Sequence, residues 1–264
     1  MDGDVNAPFS DGDAWRVAAL SMMSDAELRR IFSGDPARAA PWVMAAANSG
    51  LADAQVRLGR MLLAGEGTAR DEAAAFAWFK QAAEANNIDA HNMLGRCLEG
   101  GWGIAPDFAE AARHYTVAAE AGDAWAQYNL GHLYLDGNGV ARDVDWAFVL
   151  YRRAAEQGHV RAMNLVARCY EEGWSVARDA SLARAWYRKS AEGGYFRGAY
   201  NYGTMLAAEG EIADAAHWFT KALAGAPEPT RGNMIAALAA SPRHSLREIA
   251  LGMTAQSGAT EGLI

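Results

Sequence analysis

LDGNGVARD spans residues 135–143. Two glycines, an asparagine and a closing aspartate mark it as a turn. Close copies stand elsewhere: LAGEGTARD at 63–71, EGGWGIAPD at 99–107 and EEGWSVARD at 171–179. Each begins 36 residues after the one before. A turn that returns on a fixed period belongs to a repeated structural unit.

Set against itself at that period, the chain shows what flanks the turn. Ala54, Ala90, Ala126 and Ala162 share one position; Leu58, Leu94, Leu130 and Val166 share another. Gly59, Gly95, Gly131, Ala167 and Gly203 come next, then Leu62, Leu98, Tyr134, Tyr170 and Leu206. Offsets of 0, +4, +5 and +8 lie on one helical face, so a first helix, A, precedes the turn. Gly65, Gly101, Gly137 and Gly173 end it. Asp71, Asp107, Asp143 and Asp179 then cap a second helix, B, by accepting from free backbone N–H groups. Asp107 with Glu110 approximates a capping box. Ala75, Ala111, Ala147 and Ala183, with Phe79, Tyr115, Tyr151 and Tyr187, form the apolar face of helix B, and Gly122, Gly158 and Gly194 end it. Trp42, Trp78, Trp186 and Trp218 share one helix B slot and read as core. A calcium loop is the competing reading of LDGNGVARD, but it needs a Glu eleven residues after Asp136, and residue 147 is Ala.

The expected architecture is all-α: a right-handed α/α solenoid of about six two-helix repeats with a helical C-terminal cap. The boundaries read as an acidic disordered tail over 1–14, then repeats at 15–50, 51–87, 88–123, 124–159, 160–195 and 196–228. The first is degenerate and lacks the glycine loop. The last is four residues shorter. Residues 229–255 read as the cap, with Ser241-Pro242 starting its second helix, and 256–264 as a flexible tail.

The bulk composition narrows the function classes. With 264 residues and 51% apolar residues, the chain can bury a core. A net charge of -8 argues against a general nucleic-acid or anionic-membrane surface. The start, MDGDVNAPFSDGD, has no secretory pattern, and no apolar run reaches the length of a membrane span. The expected location is cytoplasmic. Cys97 and Cys169 lie 72 residues apart, two periods, which places them about 20 Å from each other and too far for a disulfide.

These residues carry a resemblance. A-x-x-x-L-G-x-x-Y-x-x-G-x-G-V, followed by D-x-x-x-A-x-x-(W/F/Y)-(F/Y)-x-x-A-A-x-x-G, resembles the Sel-1-like repeat, a relative of the tetratricopeptide repeat with a longer turn. AQYNLGHLYLDGNGVARDVDWAFVLYRRAAEQG, from residue 126, is the clearest copy. The resemblance covers about 15–228 and implies an adaptor or scaffold that binds other proteins in a concave groove lined by helix A. The paired cysteines of the family's disulfide-bearing branch are absent here, so its β-lactam activity is not expected.

Carried onto this chain residue by residue, the resemblance implies that Arg60, Arg96, His132 and Arg168 form a basic row in the groove, with Thr204 in the same register. Asn92, Tyr128, Asn164 and Tyr200 share a second position with Val56; Arg57, Asn129 and Asn201 share a third. Such an Asn is implied to hold a peptide backbone, since its amide both donates and accepts. Trp125 opens a helix A on the same face. Trp102 and Trp174 sit in the glycine loops as secondary contacts, or fold back over a helix end. The groove would suit an acidic or extended peptide, or a chain's C-terminal carboxylate. The alternative is a solvated face in which Arg96 pairs with Glu99, His132 with Asp136, and Arg168 with Glu171 or Glu172.

No catalytic, metal or cofactor residue is named. No two of the six histidines are three or four apart, and there is no phosphate loop or nucleophile elbow. The leading expectation is a non-enzymatic interaction scaffold. The alternatives are an immunity protein or secretion chaperone dedicated to one toxin or effector and, more remotely, a hydrolase working in the groove.

Overall fold

The computed structural model describes residues 11–261. Among them are fifteen α-helices and no strand. The chain divides into two units, 1–142 and 143–264.

In the first unit, α1 (Asp11–Met22), α2 (Asp25–Phe32) and α3 (Pro36–Asn48) precede α4 (Ala52–Ala64), α5 (Glu72–Glu84), α6 (Ile88–Gly100), α7 (Phe108–Glu120) and α8 (Ala124–Asp136). In the second are α9 (Val144–Glu156), α10 (Val160–Glu172), α11 (Ala180–Glu192), α12 (Phe196–Glu209), α13 (Ile212–Gly225), α14 (Glu228–Ala239) and α15 (His244–Glu261). Within each unit consecutive helices pack on one another as A/B pairs. Helices α4, α6, α8, α10 and α12 are the A helices.

The caps work as the sequence suggests. Asp71 and Asp107 each accept a bond from the backbone N–H three residues on, at 2.9 Å. In the second unit, Asp143 and Asp179 do the same. Each such cap stabilises its helix by about 1 kcal/mol. Asn87 and Asp123 cap A helices in the same way, and His159 does so through its ring Nδ1. The capping box at Asp107 does not form. The Asp107 N–H donates to the Leu98 carbonyl, and the Glu110 carboxylate turns to Arg113.

The glycine loop does more than end helix A. Its first glycine is left-handed, with φ of 70° at Gly65, 70° at Gly101 and 76° at Gly137. Its second is also left-handed and meets the preceding helix B. A Cβ on Gly103 would lie 2.2 Å from the Glu72 carbonyl at the start of α5, and one on Gly139 would lie 2.3 Å from the Phe108 backbone at the start of α7. At these glycines a side chain would collide with backbone, so the absence of a Cβ allows the approach. In the three loops that carry this glycine the turn therefore fastens a repeat to the helix before it.

Alanines and single large rings fill the cores. In the first unit Phe79, Leu94 and Cys97 cluster with Ala75, Ala82 and Ala90. Gly95 lets Tyr115 lie directly on α6, where a Cβ would be 2.5 Å from its ring. In the second unit Tyr187, Leu206 and Phe219 share a core with Leu238, Leu246 and Ala250 of α14 and α15, so the last two helices are part of that core. Burying each large ring or Leu contributes about 1.5–3 kcal/mol.

Several boundaries differ from the sequence reading. Helix α1 begins at Asp11, inside the stretch assigned to a disordered tail; residues 1–10 lie outside the described residues. Residues 15–50 hold parts or all of three helices, not two, because Asp35 and Pro36 start α3 as a separate helix and Ser24 starts α2. Helix α15 starts at His244, two residues after Pro242, and runs through the region read as a flexible tail to Glu261. The four helix B tryptophans are only partly buried. The Lys189 and Lys221 ammonium groups lie over the exposed faces of Trp186 and Trp218, 4.3 and 4.5 Å from the ring centres.

Candidate functional site

In the second unit α10, α12 and α14 line a cleft of about 430 Å³. Helix α10 contributes Asn164 and Arg168. Helix α12 contributes Arg197, Tyr200 and Asn201. Helix α14 contributes Thr230, Asn233 and Met234. Four residues named from the sequence thus meet in one place. Arg197, Thr230 and Asn233 were missed. Arg197 was not in a register compared across repeats, and α14 belongs to no repeat, so periodicity carried no signal for it.

The polar groups of the cleft are held in place. Asn201 Nδ2 donates to Asn164 Oδ1 at 2.9 Å, linking successive A helices. Asn164 itself is 5% exposed. The Arg168 guanidinium lies over the Trp174 ring, 5.0 Å from its centre. The glutamates expected to neutralise it are engaged elsewhere: Glu171 accepts from the Tyr187 hydroxyl at 2.6 Å, and Glu172 faces Arg178. Among the described residues no carboxylate lies within ion-pair distance of Arg168 or Arg197. Burial and the bond to Glu171 push the Tyr187 hydroxyl well above the usual tyrosine range. Burial alone raises Tyr200, whose ring stands edge-on to Phe219.

The first unit repeats part of this arrangement. Asn129 Nδ2 donates to Asn92 Oδ1 at 3.2 Å, with Asn92 6% exposed. Arg96 lies over Trp102, 5.2 Å from the ring centre, and Glu99 accepts from the Tyr115 hydroxyl at 2.7 Å. Trp102 folds back on the end of α6, against Gly100. Arg60 and Arg96 line a smaller cleft of about 320 Å³ with Arg70, Glu72 and Trp102.

The remaining expected residues are placed otherwise. Arg60 faces Asp89 at 3.4 Å. Arg57 donates to the Phe32 carbonyl and covers the Phe32 ring, so it fastens α4 to the end of α2. Trp125 is 48% exposed and stands edge-on to Tyr128, which stands edge-on to His132, 4.7 Å between centres. Burial outweighs Asp136 and Glu99 and lowers the His132 pKa. Burial thus disfavours the charged imidazole, which weakens the basic row there.

The model of the Sel1 repeat matches residues 52–87, 88–123, 126–159, 160–195 and 197–225. The chain belongs to the Sel1 repeat family. Solved structures agree. A Sel1 repeat protein from Oxalobacter formigenes is 26% identical with a TM-score of 0.73, over 88% of this chain and 99% of its own. A protective antigen of uropathogenic Escherichia coli with the same repeat fold is 26% identical with a TM-score of 0.68. That match covers 94% of this chain, which spans only 54% of the antigen. The immunity protein Pa5087 from Pseudomonas aeruginosa shares the fold at 17% identity and a TM-score of 0.50, over 78% of this chain and 81% of its own. No curated protein matches the chain.

Sel1 repeat proteins mediate protein–protein interaction. Among the described residues no helix is long and apolar enough to cross a membrane, and no group of three or more side chains is arranged to hold a metal ion. Burial pushes the Cys97 thiol up to about 12 and the Cys169 thiol to about 11, so both remain protonated and unreactive at neutral pH.

Proposed function

We propose that this Sel1 repeat protein is a non-enzymatic interaction module that binds an extended acidic segment of a partner protein, with the α10–α12–α14 cleft as its main contact. One observation supports this above the others. Arg168 is fixed on Trp174 while both nearby glutamates are engaged elsewhere, so its charge stays available. A guanidinium in that state forms charge-assisted bonds to a carboxylate. Arg197 adds a second charge, and the Asn164–Asn201 pair presents amide groups that match a peptide backbone. The likeness to immunity proteins lies below 20% identity and supports the fold alone.

The test is an array of capped acidic, neutral and basic peptides probed with the full chain and with R168E/R197E. Acidic peptides are expected to be retained by the wild type and lost at least tenfold in the variant. Equal retention of basic peptides, or an unchanged variant, would overturn the reading.

A further inference from the structure

Translation by 72 residues, two repeats, carries Asn92 onto Asn164, Arg96 onto Arg168, Trp102 onto Trp174 and Asn129 onto Asn201. The same step carries the Glu99–Tyr115 pair onto Glu171–Tyr187. The contacts are reproduced along with the residues. The amide bond between successive A helices is 3.2 Å in one unit and 2.9 Å in the other. The guanidinium-to-indole distance is 5.2 Å in one and 5.0 Å in the other. The Tyr-to-Glu bond is 2.7 Å in one and 2.6 Å in the other.

A single repeat step does not do this. It puts His132 where Arg96 and Arg168 stand, Asn138 where the loop tryptophans stand, and Tyr128 where the buried asparagines stand. A 36-residue period alone would place a similar group in every repeat. The recurrence is of a whole interlocked group, in alternate repeats, with its charge-releasing Tyr–Glu bond included. Arg96, like Arg168, has no carboxylate within ion-pair distance among the described residues.

The two groups share an Asn pair and an Arg on an indole, and the second adds Arg197 where the first has Trp125. Asn and Arg stand four residues apart on one helix face, at 92 and 96 or at 164 and 168; the Asn is buried and holds the outer Asn of the next A helix on the same side as the Arg. The outer Asn uses one N–H on its neighbour and keeps its carbonyl and second N–H for a peptide unit. The Arg, flat on its indole, takes a carboxylate in a fixed direction. We propose that the chain carries two equivalent stations, one in each unit, and that each holds one copy of the same short acidic peptide element. A partner that presents the element twice would be held by both. Such linkage raises affinity by roughly 10²–10⁴ over a single contact when the linker can span the sites. This rests on the acidic-segment reading above and adds to it the number of sites and the form of the partner.

The test follows the two indole N–H signals of Trp102 and Trp174 by NMR in the full chain. The titrant is acetyl-Ala-Asp-Glu-Asp-Ala-amide, with acetyl-Ala-Asn-Gln-Asn-Ala-amide as the control. Both signals are expected to shift with the acidic peptide only, with dissociation constants within about fivefold of each other. R96Q should weaken the Trp102 response at least tenfold and leave that of Trp174 within twofold; R168Q should do the reverse. Both arginines are exposed, so these variants are expected to fold. If Trp174 responds and Trp102 does not, the duplication is wrong and the single-cleft reading stands; if Trp102 alone responds, both the duplication and the α10–α12–α14 cleft reading fail. If neither responds, or the control peptide acts equally, both fail.

Discussion

Gly139→Ala adds one methyl group to the loop LDGNGVARD, and the structure gives its cost in two parts. The residue has φ of 70°, which a side chain adopts at a cost of about 1 kcal/mol. The new Cβ would also lie 2.3 Å from the carbonyl carbon of Phe108 and 2.4 Å from the nitrogen of Ala109. Both are backbone atoms at the start of α7, so no rotamer change relieves the contact. Overpacking of this kind costs about 1–3 kcal/mol, which brings the total to about 3 kcal/mol. Gly122→Ala separates the two parts. Its φ is 96°, but nothing lies within 4 Å of an added Cβ, so about 1 kcal/mol is expected. Thermal unfolding of the two variants beside the wild type measures the difference. At about 2–4 °C per kcal/mol for a chain of this size, Gly139→Ala should lower Tm by about 6–12 °C and Gly122→Ala by about 2–4 °C. Equal shifts would refute the idea that the loop fastens one repeat to the previous one. Position 175 gives the opposite sign. There the repeat has Ser at φ of 61°, so Ser175→Gly should raise Tm by about 2–4 °C.

Three further outcomes follow from other contacts. The Thr68 hydroxyl is buried without a partner, at the loop position where other repeats have Ile104, Val140 and Val176; Thr68→Val should stabilise the chain by about 1 kcal/mol in urea unfolding. Burial lowers the His159 pKa to about 4, so its stabilising effect is complete above pH 6.5 and is lost as pH falls from there to about 4, amounting to about 1–2 kcal/mol after solvent screening. His159→Asn keeps a capping acceptor without the titration, so its unfolding midpoint should fall less over that range than that of the wild type. Tyr187→Phe removes the bond that holds Glu171; the chain should lose about 1 kcal/mol of stability, and the freed carboxylate should turn to Arg168 and weaken acidic-peptide binding about threefold by titration calorimetry.

The repeat was legible because its signals are local and recur. Asp71 precedes an apolar run and caps it; Gly137 follows one and turns left-handed. What escaped the sequence depended on partner choice in three dimensions. Glu99 and Glu171 lie three residues after Arg96 and Arg168, which suggested ion pairs along the helix. Each instead accepts from a tyrosine sixteen residues on, because the helix B ring enters the space left by Gly95 or Ala167 and its hydroxyl reaches the glutamate. His132 keeps the basic register in sequence, but burial disfavours its charged form and outweighs the nearby carboxylates. Thr230 and Asn233 could not be found by comparing repeats, because α14 lies beyond the last one. At the other end, the missing glycine loop removed the periodic signal, and residues 15–50 formed an extra helix that no register announced.

The most direct test of the acidic-segment reading is calorimetric titration of the full chain with acetyl-Ala-Asp-Glu-Asp-Ala-amide at 50 and 200 mM salt, for wild type and R168Q/R197Q. The account predicts measurable binding by the wild type that weakens with salt, and at least a tenfold loss in the variant with a smaller salt dependence. Binding that is unchanged by removing both arginines would contradict it.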